Sequence, residues 1–198
     1  MLRKLAGFVF ACLVAGCTTI ASAQEIHVAA GGSTLFSAKT YSSSQAYPAP
    51  PEDGGLYPAV SGEVVFKNRF GLNAETAFRD KQTYYNGFQR YRPILTDVNG
   101  VFAPRTGPKT AADFMAGVGL ENLVFYNQFG SCSGICPTFV SSHHFLLHSG
   151  VGVRYYFWGN FFARPEAHYY YIVGNTNEFH SANVVRLGVS VGYTFGRK

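Results

Sequence analysis

The sequence has no apolar run long enough to cross a bilayer as a helix. The longest, "LAGFVFACLVAG" near the start, is about a dozen residues against the ~20 that a helical span needs. The repeat of an amphipathic helix, apolar at i, i+3, i+4 and i+7, is nowhere sustained, which argues against helical bundles. No glycine-rich phosphate loop, nucleotide fingerprint or metal-ligand cluster is present, so the common cofactor chemistries have no sequence support. A strong charge imbalance is missing too. The 16 Lys and Arg stand against 11 Asp and Glu. Without Arg3 and Lys4 the balance is 14 to 11, or +3, with no basic run, which argues against nucleic acid as a partner.

Cysteine is scarce. Cys12 and Cys17 belong to the apolar start, leaving Cys132 and Cys136 in "SCSGICP". In an exported chain that pair reads as a short-range disulfide. A zinc site would have to recruit His143 and His144, and a C-x3-C pair alone is a poor zinc signal.

Arg3 and Lys4, the apolar run and the small residues after it form a secretory signal, so residues 1–23 are set apart from the fold. Two cuts can be read. "ASA" before Gln24 suits signal peptidase, whereas "VAGC" ending at Cys17 suits a lipobox. Cleavage after Ala23 is preferred, because strand-like residues begin at Glu25 and a barrel needs no lipid anchor.

What the chain does have is aromatic residues, 18 Phe and 13 Tyr, together with 22 Gly. They fall into segments that alternate with a period of two, the spacing of a strand with two unlike faces. In "NVVRLGVSVGYTF" the residues Val185, Leu187, Val189, Val191, Tyr193 and Phe195 share one face, and Arg186, Gly188, Ser190 and Gly192 the other. In "NFFARPEAHYYYIV" Phe161, Ala163, Pro165 and Tyr169 oppose Arg164, Glu166 and His168. Six further segments follow the same rule, beginning at Glu25, Tyr57, Phe70, Arg92, Ala111 and His144. Eight strands are therefore expected. Their connections alternate between short ("KNRF", "RTGPKT", "WGN") and long or polar ones, with "YYNGFQ" a tight hairpin because Asn-Gly suits a type I′ turn. That sidedness is characteristic of an outer-membrane barrel.

Alternation alone does not say which face points inward. A soluble lipocalin-like barrel, apolar inside, is the alternative, and lysine placement favours the membrane barrel over it. Lys39, Lys67, Lys81, Lys109 and Lys198 all fall at strand ends, in loops or at the terminus, whereas a water-facing wall would scatter them along strands. The polar face also joins charges to glycine, which suits a narrow lumen where large ions pair and small residues make room. The fold expected is an all-β, eight-stranded antiparallel up-and-down transmembrane barrel over residues 24–198. Its interior is expected to hold an ion network of Glu63, Glu75, Arg79, Asp97, Asp113, Glu121, Arg154, Arg164, Glu166, His168 and Arg186. The three strand arginines 154, 164 and 186 are expected to pair with acids such as Glu166 and Glu121.

The terminal "VRLGVSVGYTF" and the hairpin "GVRYYFWGNFFARPEAHYYY" resemble the small outer-membrane barrels of the OmpA-like and opacity-porin superfamily. The resemblance implies a bacterial outer-membrane location, outer-membrane lipids and the barrel-assembly machinery as partners, and a terminal assembly signal at Tyr193 and Phe195. It also implies a monomer. Some barrels of this size modify lipids with Ser and His at the membrane edge. Candidates here are Ser141, Ser142, His143 and His144, His180 beside Ser181, and Ser149, all in ordinary polar surroundings. Glu166 and His168, two apart on the lumen face, read as part of the ion network rather than as an acid–base pair. The expectation is therefore a non-enzymatic barrel without cofactor or metal, with a structural or surface-contact role through its long loops and a possible surface ligand there. A narrow porin-like channel and a lipid-modifying enzyme are the alternatives.

Overall fold

The computed structural model of the chain describes residues 25–38, 51–66, 69–85, 87, 89–126 and 139–197. The expected signal segment and the expected disulfide pair Cys132 and Cys136 lie outside the described residues. The strands run β1 (Glu25–Ser37), β2 (Tyr57–Val65), β3 (Phe70–Phe78), β4 (Thr83–Tyr85), β5 (Gln89–Phe102), β6 (Thr110–Tyr126), β7 (Phe139–Trp158), β8 (Phe161–Ile172) and β9 (Asn183–Phe195). All pairings are antiparallel. β1 pairs with both β2 and β9, and β3 pairs with β5, so the sheet closes on itself. β4 is a three-residue ribbon held by β5 alone. Eight strands make the wall.

Closure satisfies the backbone, and the alternation sets the faces. Outward positions are apolar and exposed: Leu72 is 59% exposed, Val98 56% and Val189 54%. Inward positions include Arg154, Arg164 and Arg186, each at most 1% exposed. A soluble protein does not expose a continuous apolar wall while burying arginine. In lipid the same arrangement is favourable, because hydrocarbon meets the apolar face and the barrel leaves no unpaired strand edge.

Aromatic side chains collect where the wall meets the short turns. Phe70 and Phe102 lie 4.9 Å apart, Trp158 and Phe161 5.7 Å, and Phe161 and Tyr193 4.9 Å between ring centres. Tyr193 also touches Phe195 at 4.8 Å. These rings band the barrel across β3, β5, β7, β8 and β9, a position suited to the lipid–water boundary.

The two ends differ. At the turn end β2–β3, β5–β6 and β7–β8 are joined by short connections, and β7–β8 turns through Gly159 at φ 54°. The β2–β3 turn places Arg69 at φ 66°, a left-handed conformation that costs a residue with a Cβ roughly 1–2 kcal/mol. At the loop end β5, β6 and β7 run beyond the neighbouring strands. β7 begins at Phe139, five residues before the alternation reveals it, so Ser141, Ser142, His143 and His144 belong to a strand rather than a polar loop. Its inward side chains Ser142 and His144 are polar as its outward His143 is, so no apolar repeat marks it. Tyr85 pairs with Gln89, so three residues rather than two separate them, with Gly87 at φ 82°.

Leu187 lies mid-strand on the outer wall, opposite Thr34 and Ala167. Leu187→Arg is expected to cost about 2–4 kcal/mol in denaturant unfolding from lipid vesicles. A negligible loss would mean that this face does not meet hydrocarbon.

Candidate functional site: the barrel interior and its mouths

An eight-stranded barrel leaves room inside for side chains and little else. Where a long side chain crosses, the wall must be bare. A Cβ on Gly152 would come within 3.2 Å of Arg164 Cγ, and one on Gly192 within 2.4 Å of Phe162 Cζ.

Three guanidiniums span that space. Arg154 on β7 donates through Nε to Asp113 Oδ1 at 3.0 Å and through Nη2 to Glu63 Oε1 at 3.0 Å. Glu63 is on β2, diametrically across the barrel. Arg164 on β8 holds Glu166 at 2.7 Å and lies 3.6 Å from Glu63 and 3.9 Å from Glu75. It also donates to the Ser61 and Ser190 hydroxyls at 3.2 and 3.3 Å. Arg186 on β9 pairs with Glu75 on β3, its guanidinium 5.8 Å from the Tyr170 ring centre.

Above them runs a hydrogen-bonded polar chain. His168 Nδ1 lies 2.9 Å from His148 Nε2, so one ring donates and the other accepts. His148 Nδ1 meets the Asn99 carboxamide oxygen, and the Asn99 amide donates to Asp97. His168 Nε2 lies 3.7 Å from Glu166. Glu75, Glu166 and His168 bring three donor atoms within 4.8 Å of one another. Arg164 and Arg186 already occupy those carboxylates, and their charge opposes a metal cation.

Two members of the expected network stand apart. Arg79 is half-buried at the loop end and donates to the Asp53 carbonyl at 3.4 Å. Glu121 is fully buried but pairs with no arginine among the described residues. It lies eight residues beyond Asp113 on β6, or about 26 Å along a strand, out of reach of the arginine layer. Its electrostatic neighbour is Glu52, and neither Glu121 oxygen has a hydrogen-bond partner among the described residues. Glu52 also accepts from Asn175 Nδ2 at 3.3 Å. Burial pushes the Glu52 carboxyl up to about 7, against smaller opposing effects from its hydrogen bonds and Arg79.

The β8–β9 connection folds back to close this end. Phe179, 1% exposed, packs 5.3 Å from Tyr91 and 5.7 Å from Tyr85. The Tyr85 hydroxyl donates to the Glu178 carbonyl at 2.7 Å. Glu52, Asn175, Glu178 and Phe179 escape a periodicity argument because they lie in loops. The available signal is a lone Phe and paired acids inside otherwise small, polar stretches.

Of the Ser and His candidates, the structure joins Ser142 and His144. Ser142 Oγ lies 3.0 Å from His144 Nε2 and donates to Glu178 Oε1 at 3.1 Å. Glu178 Oε2 approaches that same His144 Nε2 at 3.3 Å. A relay needs the acid on one ring nitrogen and the nucleophile on the other. Here both share one nitrogen, and Ser142 faces inward, away from lipid. Ser181 Oγ is engaged locally with Asn183, and Ser149 and His143 face outward.

Comparison with protein-family models and with curated proteins finds no match. Solved structures do match. The attachment invasion locus protein Ail of Yersinia pestis, in complex with the heparin analogue sucrose octasulfate, is 14% identical, covering 88% of this chain and 100% of its own, at a TM-score of 0.57. The N-terminal β-barrel domain of Pseudomonas aeruginosa OprF is 16% identical over 86% and 97%, at 0.58. Neisserial surface protein A is 12% identical over 88% and 98%, at 0.54. The chain has the fold of the small eight-stranded outer-membrane barrels. At this identity the likeness is one of fold, and the side chains in the lumen must speak for themselves.

Arg154→Ala removes the guanidinium bonded to Asp113 and Glu63 and leaves them only the more distant Arg164, at 3.9 and 3.6 Å. It is expected to destabilise the barrel by about 3–5 kcal/mol, read as a lower unfolding midpoint and a lower temperature for the mobility shift on unboiled gels. Glu52 predicts a pH effect of definite sign. Its folded carboxyl titrates above its unfolded value, so its contribution is fully present below about pH 4.5 and is lost as pH rises through about 7. Between pH 5 and 8 stability is expected to fall by ~1–3 kcal/mol. Glu52→Gln should remove that part of the slope, and an unchanged slope would assign it elsewhere.

Proposed function

We propose that the protein serves in the outer membrane as a closed, non-conducting and non-catalytic barrel whose loop end makes contacts beyond the bilayer. The observation that carries this reading is strand length. β6 has 17 residues and β7 has 20, where a tilted strand needs roughly 9–11 to cross. The excess stands above the apolar belt, stiffened by the cluster of Tyr85, Tyr91, Phe125 and Phe179. A rigid platform beneath variable loops is where recognition is usually built.

The interior supports the non-conducting part. Guanidiniums joined to carboxylates on opposite walls cross the axis that a solute would have to follow. The shared nitrogen at Ser142, His144 and Glu178 gives no support to hydrolysis. A closed sheet has no free edge and needs no partner subunit, so we read the unit as a monomer. Export with cleavage after Ala23, and assembly through Tyr193 and Phe195 by the barrel-assembly machinery, complete the proposal. Among the fold neighbours, Ail carries attachment and invasion in its name and was solved with a heparin analogue. That precedent makes an extracellular ligand at the loop end the first to test.

Planar bilayers carrying the purified protein are expected to show no conductance above protein-free bilayers. Cells whose 127–138 segment is replaced by a short turn should keep the heat-dependent gel shift and lose surface attachment. Steady conductance would replace this reading with the narrow-channel one. Attachment that survives the replacement would remove that segment from the contact surface.

A further inference from the structure

At the turn end the lumen opens into a cavity of about 350 Å³. Small side chains make it: Ala103, Gly107 and Ala111 on one side, Gly196 on the other. Arg154 lies at its floor, already held by Asp113 and Glu63. Three more arginines line the cavity, each from a different connection. Arg69 comes from the β2–β3 turn, Arg105 from the β5–β6 turn, and Arg197 from the segment after β9.

Their states differ. Arg105 pairs with Glu25. Arg197 lies on the Tyr156 ring, its guanidinium carbon 3.5 Å from the ring centre, and donates to the carbonyls of Gly159 at 3.1 Å and Pro108 at 2.8 Å. Arg69 has no carboxylate partner among the described residues. Besides the occupied Arg154, the cavity therefore offers three guanidiniums against one carboxylate, Glu25.

The backbone at Arg69 adds a second, independent observation. Its N–H donates to the Phe66 carbonyl at 2.9 Å, and the Phe66 N–H donates to the Phe70 carbonyl at 2.8 Å. This is a tight hairpin with its last turn residue left-handed, a position at which glycine is the unstrained choice. The same end of the barrel does use glycine at two other left-handed positions, Gly159 and Gly196. At residue 69 the chain keeps an arginine, an exposed residue that lines the cavity. A backbone requirement would select glycine; the arginine answers a side-chain requirement.

We infer that this mouth is an oxyanion-binding site for a phosphate or carboxylate group, with Arg69 as the recognising guanidinium and Arg105 and Arg197 beside it. Planar forks match both oxyanions bidentately. The partly closed mouth, with Val65 and Phe66 in its wall, strengthens their field relative to open water. Free anions and lipid headgroups present the same chemistry.

The test uses the mature protein in a maltoside micelle and calorimetry at constant ionic strength, with inorganic phosphate and acetate as probes. A parallel arm uses micelles doped with phosphatidylglycerol. Saturable binding is expected, weakened at least tenfold in Arg69→Gly. The same variant should keep its gel shift and unfold at an equal or higher temperature, since glycine relieves the turn. Arg69→Lys should retain part of the affinity. Saturation by a soluble probe identifies a free oxyanion. Saturation only in the doped micelles identifies a headgroup, and either result supports the site. Absence of saturable binding in both arms, or binding by Arg69→Gly as tight as the unaltered chain's, overturns it.

Discussion

A strand inside hydrocarbon must find a partner for every backbone N–H and C=O, since no water is there to take the place of one. The rest of this structure depends on that constraint. Pairing β1 with β9 and β3 with β5 leaves no edge, and a closed wall then divides the side chains into two environments. Lipid takes one set and the interior the other. The apolar face must point outward, so the charged face is driven into a space without bulk water. Burial of arginine is thus the consequence of closure, and the cross-barrel ion pairs are what make closure tolerable.

Eight strands also limit how the interior can be filled. The lumen is narrow enough that Arg154 on β7 reaches Glu63 on the opposite wall. A wider barrel would leave those ions to water, and a narrower one would have no room for them. Glycine belongs to the same balance. Gly152 is bare because Arg164 passes over it. Carboxylates outnumber guanidiniums, so not every acid can have an arginine. Asp97 instead meets Asn99 and the His148–His168 pair, and Glu121 meets Glu52. The interior is therefore graded, ionic toward the turns, polar and aromatic in the middle, and acidic under the loop end.

Most of the wall was legible because alternation is strict where one face meets lipid. The strands from Leu72 to Val191 show it through the membrane belt, with the hydroxyls of Thr76, Thr96 and Ser149 as interruptions of the outward face. Legibility ends where that contrast ends. The "SSHH" stretch of β7 is polar on both faces, since its inward Ser142 and His144 meet Glu178 rather than an apolar interior, so its strand character has no sequence signature. Arg79 and Glu121 show a different loss. Each falls on the inward face as the pattern requires, but period two carries no information about height along the axis. Height decides whom a charge can reach, and both residues stand above the arginine layer. Phe179 and Glu52 were hidden for a third reason, since loop residues that fold back into a mouth obey no period.

The two mouths show what a barrel of this kind can vary once its wall is set. The belt between the aromatic bands tolerates little, because hydrocarbon penalises polarity outside and pairing penalises substitution inside. At the ends neither penalty holds fully, and the chain departs from economy there. β7 continues for a third or more of its length past what crossing requires, with Phe179 and Tyr91 bracing the extension from within. At the opposite mouth a left-handed turn is given to Arg69 where glycine would be unstrained. Neither feature helps the barrel to close. Structure retained without benefit to closure is where selection for something other than stability leaves its trace, and it lies at both ends of a wall otherwise dictated by lipid.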